Sequence, residues 1–145
     1  MNSKPIKPIL SNELRQMVES KLKINLEGIE DTLNQIFKTQ ELSLEAIKQT
    51  MQSLEQSFTL LSQKWNLQIL YLLFLKKTSG FGELKKILGV NSRTLSDKLK
   101  LLTQHNFIRR TINQEPPIRV KYSLTERGYN TILLALPFLY YSSGN

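Results

Sequence analysis

The apolar residues of this chain follow two different periodicities, and the change between them falls near residue 62. In the first part they recur at intervals of three and four residues, with one additional interval of four at Gln40. The apolar positions of this seam are Leu22, Leu26, Ile29, Leu33, Ile36, Leu44, Ile47, Met51, Leu54, Phe58 and Leu61. The spacing predicts helix with a heptad seam of the coiled-coil type, and the additional interval is a stutter that locally unwinds such a coil.

Two arrangements of residues 11–61 fit this seam. One is a continuous helix from Leu22 to Leu61, about 60 Å long at 1.5 Å per residue, which would need a second copy of the chain to cover its seam. The other is a pair of helices that breaks near Thr39–Ser43 and folds back on the rest of the chain. Both arrangements indicate an oligomerisation element rather than a catalytic one.

Beyond the seam, the sequence predicts three helices. Ser62 caps the first of them, and the second is Phe81–Leu88. Either Asn91 or Ser92 caps the third helix. Three leucines of the third helix fall on one face and point inward: Leu95, Leu99 and Leu102.

Two strand-like runs come next, Phe107–Ile112 and Ile118–Leu124, joined by a turn with two adjacent prolines. Their alternation puts five residues on the core side: Ile108, Ile112, Val120, Tyr122 and Leu124. Thr125 then caps a last helix that is apolar around nearly its whole circumference. A helix of this kind is normally buried, which indicates a subunit interface, with completion of the domain core as the alternative.

These elements predict a mainly α protein with a small β-ribbon, namely a winged helix-turn-helix domain with an N-terminal helical, coiled-coil-like extension. The predicted organisation is a flexible arm at residues 1–10, a helical extension at 11–61, a winged-helix DNA-binding domain at 62–124 and a C-terminal dimerisation helix at 125–145. Pro5 and Pro8 are the reason for predicting a flexible arm, and Ser11 can cap the helix that follows it.

Positive charge is concentrated in the second part of the chain, whose total net charge is +8. Residues 1–62 hold 7 basic and 8 acidic side chains, whereas residues 63–145 hold 13 and 4. Because phosphate neutralisation supplies much of the affinity of nucleic-acid binders, this asymmetry predicts double-stranded DNA as a partner. A solvated lysine face would explain the total charge but not the neutral first part.

The geometry of the third helix and the ribbon selects the side chains expected to meet DNA. The N-terminal part of a recognition helix enters the major groove, so the candidates for base edges are Ser92, Arg93, Thr94, Ser96 and Asp97. The candidates for phosphates are Lys98, Lys100, Arg109, Arg110, Arg119 and Lys121. Arg93 can direct two donors at a guanine. Asp97 can accept from a cytosine or hold Arg93 through an i, i+4 pair.

Other kinds of chemistry find no support in the sequence. It has no cysteine and one histidine, His105, in a polar turn, so neither a thiol nor a metal site is predicted. The sequence contains no recognisable nucleophile–base pair and no phosphate-binding loop, so it does not indicate an enzyme. No cofactor is expected. The apolar runs are too short to span a membrane, and residues 1–10 lack the apolar segment of a signal peptide. We therefore expect a cytoplasmic protein that is not an enzyme.

Several of these segments resemble the HxlR-type winged-helix transcription regulators. The resemblance includes Lys64-Trp65, the FGEL sequence at residues 81–84, the third helix, and above all EPPIRVKYSLTERG at residues 115–128. It implies a dimer that binds palindrome-like operators, in many members as a repressor, and leaves any small-molecule effector unidentified.

Three features depart from the family pattern. Ser62 and Gln63 replace the usual glycines, so we expect a continuous junction into the next helix. The lack of cysteine excludes the thiol sensing that some members use. The segment of about 60 residues before the domain is longer than the usual one, and the resemblance implies no role for it.

Three functions remain open at this point. The first is a dimeric, sequence-specific transcription regulator. The second is a non-specific, chromatin-like architectural DNA-binding protein, which would show little preference among DNA sequences. The third is a winged-helix scaffold whose helical extension binds another protein and whose DNA binding is vestigial.

Overall fold

The computed structural model describes residues 12–41 and 43–142. The elements are α1 (Asn12–Thr39), α2 (Leu44–Ser62), α3 (Asn66–Lys76), β1 (Thr78–Gly80), α4 (Phe81–Leu88), α5 (Ser92–Gln104), β2 (Ile108–Asn113), β3 (Arg119–Leu124) and α6 (Glu126–Ser142). The chain divides into two compact units between Thr50 and Met51, inside α2. The predicted mainly helical protein with a small sheet is confirmed.

The helical extension consists of two helices, so the alternative of one continuous helix is wrong. The break falls after Thr39, and Ser43 caps α2 because its hydroxyl accepts a hydrogen bond from the Ala46 N–H at 3.1 Å. Most of the seam residues remain accessible, from 39% exposed at Ile47 to 72% at Leu44, and Leu22 and Leu61 are half-buried. The predicted arm at residues 1–10 and the predicted cap at Ser11 lie outside the described residues.

The junction between α2 and α3 differs from both predictions made for it. Ser62 is the last residue of α2 and its hydroxyl donates to the Thr59 carbonyl at 3.3 Å, so Ser62 does not cap the next helix. Trp65 has a left-handed backbone with φ 80°, which breaks the helix that we expected to continue here. The buried Asn66 amide donates to the Leu60 carbonyl at 2.7 Å and so satisfies an oxygen near the end of α2.

The hydrophobic core joins α3, α4 and α5 to the sheet and to the first turns of α6. Its buried apolar residues are Ile69, Leu70, Leu73, Leu84, Val90, Leu95, Leu99, Leu102, Phe107, Ile108, Tyr122 and Ile132. The predicted inward face of α5, with leucines at 95, 99 and 102, is confirmed. The core therefore holds α5 by one face only.

The sheet has three antiparallel strands in the order β1-β3-β2. β3 pairs with β2 from Ile108 opposite Leu124 to Asn113 opposite Arg119, as the predicted ribbon requires. β1 was not predicted, because its sequence Thr-Ser-Gly has no strand pattern of its own and its three residues pair only along the inner half of β3.

The alternation of the ribbon is correct near the core and wrong near the tip. Ile108 and Tyr122 are buried and Val120 and Leu124 are half-buried, as predicted. Ile112 is 50% exposed, because the outer half of the ribbon extends beyond the helices that cover the inner half.

The last helix begins with a close contact at the start of β2. Thr125 caps α6 as predicted, since its hydroxyl accepts from the Gly128 N–H at 3.0 Å and donates to the Asn106 carbonyl at 2.7 Å. Farther along, Ile132 is buried, but Leu134 is 73% and Phe138 is 56% exposed. Completion of the core therefore does not account for the apolar character of α6.

Replacement of Gly128 by alanine should strongly destabilise the protein. A Cβ at this position would lie 2.0 Å from the Phe107 carbonyl oxygen, and backbone atoms cannot yield as a flexible side chain can. We expect a loss of about 3 kcal/mol in the free energy of unfolding, measured by urea denaturation. Gly82→Ala is the matched control, because nothing lies within 4 Å of its Cβ, and it should stabilise α4 by about 0.5–1 kcal/mol. Equal stability of the two variants would contradict this packing.

Candidate nucleic-acid interface

A tight turn sets α4 against α5. Gly89 ends α4 with a left-handed backbone at φ 64°, and its N–H donates to the Lys85 carbonyl at 3.0 Å. Val90 is buried, and Asn91 then caps α5 through an oxygen that accepts from the Thr94 N–H at 2.8 Å. Of the two predicted caps, Asn91 is therefore the correct one. The result is a helix-turn-helix in which the second helix begins at a defined residue.

The buried leucines fix which side chains α5 presents to solvent. The exposed residues among the base-edge candidates are Ser92, Arg93, Ser96 and Asp97, and Thr94 is half-buried. Lys100 is exposed on the same polar face. Arg93 lies in the first turn, and the described part of the chain contains no ion pair between it and Asp97. Both side chains are therefore available to an external partner.

Lys98 is placed differently from the other candidates on α5. It is half-buried, and its ammonium donates to the Gln63 side-chain oxygen at 3.0 Å. This contact ties the recognition helix to the junction that follows α2. The helical spacing from the leucines already puts Lys98 close to the inward face.

The four basic candidates of the ribbon are all exposed, but they do not share one face. Cross-strand partners in an antiparallel pair point to the same side. Asn113 faces Arg119, Thr111 faces Lys121, and Arg109 lies two residues from Thr111, so these three basic residues occupy the outer face. Arg110 faces Tyr122 on the opposite side.

One carboxylate lies beside the basic ribbon. Glu83 borders a shallow recess of about 420 Å³ together with Arg119 and Lys121. It also forms an ion pair with Lys76, and that hydrogen bond is the main reason why the pKa of Glu83 is lowered. Glu83 thus stays ionised, and Lys76 balances its charge, so the recess does not repel a phosphate strongly.

Sequence reasoning overlooked two further basic residues, Lys85 and Lys86, which are exposed in the last turn of α4. The first helix of a helix-turn-helix crosses the DNA backbone. The position of these two lysines in that helix could therefore have marked them as candidates for phosphate contacts. Residues 12–41 and 43–142 contain no group of His, Cys, Asp or Glu suited to a metal. No described helix is long and apolar enough to cross a membrane.

Comparison with known proteins agrees with this geometry. A model of the HxlR-like helix-turn-helix family matches residues 60–137, more than half of the chain. YdzF of Bacillus subtilis, named as an uncharacterized HTH-type transcriptional regulator, is 37% identical over 75 residues, 51% of this chain and 69% of that protein. The HTH-type transcriptional regulator YodB of Bacillus subtilis is 32% identical over 76 residues, 52% of this chain and 67% of that protein.

Solved structures give the same result. Diamide-treated YodB from B. subtilis superimposes with a TM-score of 0.52 and 30% identity, covering 61% of this chain and 85% of that one. A regulator of the MarR family from Enterococcus faecalis gives a TM-score of 0.58 and 31% identity, covering 71% of this chain and 91% of that one. The chain therefore belongs to the HxlR-like helix-turn-helix family and is a DNA-binding transcription regulator.

Proposed function

We propose that the protein is a homodimeric, sequence-specific regulator that acts as a repressor at a palindrome-like operator. The α5 helix of each copy enters the major groove of one half-site, and the β2–β3 ribbon contacts the neighbouring groove or phosphates. Arg93, Ser92, Thr94, Ser96 and Asp97 read base edges in this proposal. The basic residues of α5 and the ribbon contact phosphates.

One observation above all supports this proposal. The leucine face of α5 is buried in the core while its opposite face is polar and exposed, and Arg93 stands in the first turn without an ion-pair partner among the described residues. A solvated surface helix does not need an exposed arginine beside short polar side chains at its N-terminus. A helix that reads bases needs this arrangement, because Arg is the side chain that most often recognises guanine.

The outer face of the ribbon supports a separate contribution to affinity. Arg109, Arg119 and Lys121 point to the same side, and none of them forms an ion pair within the described part of the chain. A row of unpaired cations next to a recognition helix can neutralise successive phosphates, which raises affinity for any sequence.

The proposed dimer relies on the exposed apolar residues of α6. Leu134, Phe138 and Leu139 are all exposed on a helix that has few charged residues to keep them in water. A contiguous apolar surface of this kind marks an interaction site. A two-fold dimer would present two copies of α5, as a palindrome-like operator requires.

We propose no catalytic activity and a cytoplasmic location, as is typical of DNA-binding regulators. Regulation by a thiol is not available to this sequence, because it contains no cysteine. Any effector must therefore act without that chemistry.

The decisive experiment is the selection of bound duplexes from a random pool at a stated salt concentration. We expect a motif with two related halves. A pool that stays unselected while binding remains tight would favour the non-specific architectural alternative, and no binding at low salt would favour the protein scaffold.

Arg93 should contribute specificity, and Arg119 should contribute affinity. Arg93→Ala should cost about 1–3 kcal/mol on the selected site and relax the preference at one position of each half-site. Arg119→Ala should weaken binding to selected and scrambled duplexes alike and lower the salt slope by about 1 for each phosphate contact removed.

Fluorescence anisotropy titrations of both duplexes at several salt concentrations measure these effects. Lys38→Ala is the control, since Lys38 is an exposed cation of α1, and its loss should leave both duplexes unaffected. If Arg93→Ala weakened both duplexes equally and Arg119→Ala weakened only the selected one, the two assignments would be reversed.

The apolar surface of α6 should hold the dimer. Leu134→Asp combined with Phe138→Asp should raise the dissociation constant of the dimer, seen in sedimentation equilibrium as a lower average mass nearer the 16.8 kDa of one chain, because two charges cannot be buried without partners. Asn130→Asp combined with Ser142→Asp adds the same charge at exposed polar positions of α6 and should leave the dimer intact. A wild-type protein that is monomeric at micromolar concentration would refute the dimer.

A further inference from the structure

The first helix presents an apolar seam that nothing in the described structure covers. Leu26, Ile29, Leu33 and Ile36 are all at least 43% exposed, and they repeat in steps of three and four along one face of α1. This helix lies outside residues 60–137, the part of the chain that matches the family. Membership of the family therefore implies no partner for this seam.

The charged residues beside the seam form a simple pattern. Lys23 directly follows the seam residue Leu22, and Glu30 directly follows the seam residue Ile29. In heptad notation both lie at position e, on one flank of the seam. The opposite flank, position g, has the uncharged residues Asn25 and Thr32. All the charge that borders the seam is thus on one flank, with one sign near each end.

An antiparallel pair of α1 helices satisfies this pattern. When Leu26 of one copy packs against Ile29 of the other, Leu22 lies opposite Leu33, and the seam forms four apolar layers related by a two-fold axis. In antiparallel coiled coils, position e of one helix lies beside position e of the other. Lys23 then meets Glu30 of the second copy, and the two-fold axis generates this pair twice.

In a parallel pair of α1 helices, Lys23 and Glu30 would have no charged partner on the other helix. In parallel coils position e lies beside position g of the partner, and the g positions here are Asn25 and Thr32. Lys23 and Glu30 form no ion pairs within the described part of the chain either. The charge pattern therefore distinguishes the two orientations, and it favours the antiparallel one.

We propose that α1 joins two copies of the chain as an antiparallel coiled coil, with Lys23 of each copy paired to Glu30 of the other. The inference rests on the proposed dimeric regulator and adds to it a second contact, separate from α6. A two-fold axis perpendicular to the coil is compatible with the symmetry of a two-fold dimer. The coil raises the effective concentration of one DNA-binding unit near the other.

The same chain offers one competing partner for α1. The pattern recurs 25 residues later in α2, where Lys48 follows Ile47 and Glu55 follows Leu54. An antiparallel pairing of α1 with α2 of the same chain would therefore satisfy the charges as well, and it would place Leu22 opposite Phe58. The proposed dimer already supplies a second copy of α1, and the position of a trapped disulfide distinguishes that partner from α2.

Disulfide trapping can distinguish these arrangements, because the full chain has no cysteine of its own. Leu22→Cys and Leu33→Cys chains are mixed under mild oxidation. The antiparallel coil predicts a mixed dimer that joins residue 22 to residue 33, and little of either homodimer. Residues 22 and 33 are about 16 Å apart along one helix, well beyond the reach of a disulfide, so a wrong orientation cannot mimic this result.

Other outcomes overturn the proposal. Homodimers joined through residue 22 or through residue 33, without the mixed species, would show a parallel coil. A Leu22→Cys, Phe58→Cys chain that closes a disulfide within one monomer in high yield would show that α1 packs on its own α2. An absence of any cross-link at micromolar concentration would show that α1 does not join two copies.

Charge reversal provides a second, independent test in the same cysteine chains. If both chains also carry Lys23→Glu, or both carry Glu30→Lys, each charge pair becomes repulsive and the cross-linking rate should fall by about tenfold at low salt. If one chain carries Lys23→Glu and the other carries Glu30→Lys, the pairs are restored and the rate should recover. Unchanged rates in all combinations would contradict the proposed pairing.

Operator binding by the same chains, kept reduced, separates this inference from the proposed function. Loss of the mixed cross-link with normal operator binding would overturn the coil alone. A mixed cross-link without any DNA binding would overturn the proposed function alone.

Discussion

The direction of every exposed side chain on α5 depends on the burial of its three leucines. Leu95, Leu99 and Leu102 are all buried against the core, and burial of each such side chain contributes about 1.5–3 kcal/mol. Rotation of the helix by one residue would bring a polar side chain into the core and expose a leucine, so one rotational position is strongly favoured. The Asn91 cap fixes where the helix begins. Together these two constraints determine where Arg93 points, with no contribution from the charges themselves.

The ribbon is held in a different way, since only its inner half is anchored. Tyr122 is buried, and β1 pairs with that half of β3 alone, whereas Ile112 and Ile118 near the tip are largely exposed. The buried half also fixes the positions of two basic residues, because Arg109 pairs with Ser123 and Lys121 directly precedes Tyr122. The tip has fewer packing contacts, so its backbone opens at lower free energy and can adapt to the shape of a groove. This difference in rigidity suits the proposed roles of the two elements, in which α5 reads base edges and the ribbon contacts the DNA backbone.

The sequence predicted the parts of the fold that depend on local rules. Leucine spacing identified the inward face of α5, Thr125 was identified as a cap, and the cap of α5 was narrowed to Asn91 or Ser92, because each rule involves residues within one or two turns. The failures needed information from distant residues. Trp65 has a left-handed backbone at a junction where the Asn66 side chain bonds to the Leu60 carbonyl, and β1 exists only because β3 offers it partners. Ile112 has the correct alternation, but no periodicity tells where the covering helices stop. In the site, the sequence predicted the same phosphate contact for Lys98 as for the other lysines, and only the structure shows its hydrogen bond to Gln63.

The division of charge along the chain is consistent with the proposed role of the helical extension, which is to associate two chains rather than to contact DNA. Residues 1–62 have 7 basic and 8 acidic side chains, so this segment has almost no net attraction to phosphate. One winged-helix unit offers a limited set of exposed cations near α5, and the affinity that so few phosphate contacts supply is weak at physiological salt. Two linked units combine their contacts, and the second binds at an effective concentration set by the link rather than by the protein in solution. In the proposed dimer, a neutral, apolar seam would thus increase operator affinity through association of the chains, without raising the affinity of a single unit for non-specific DNA.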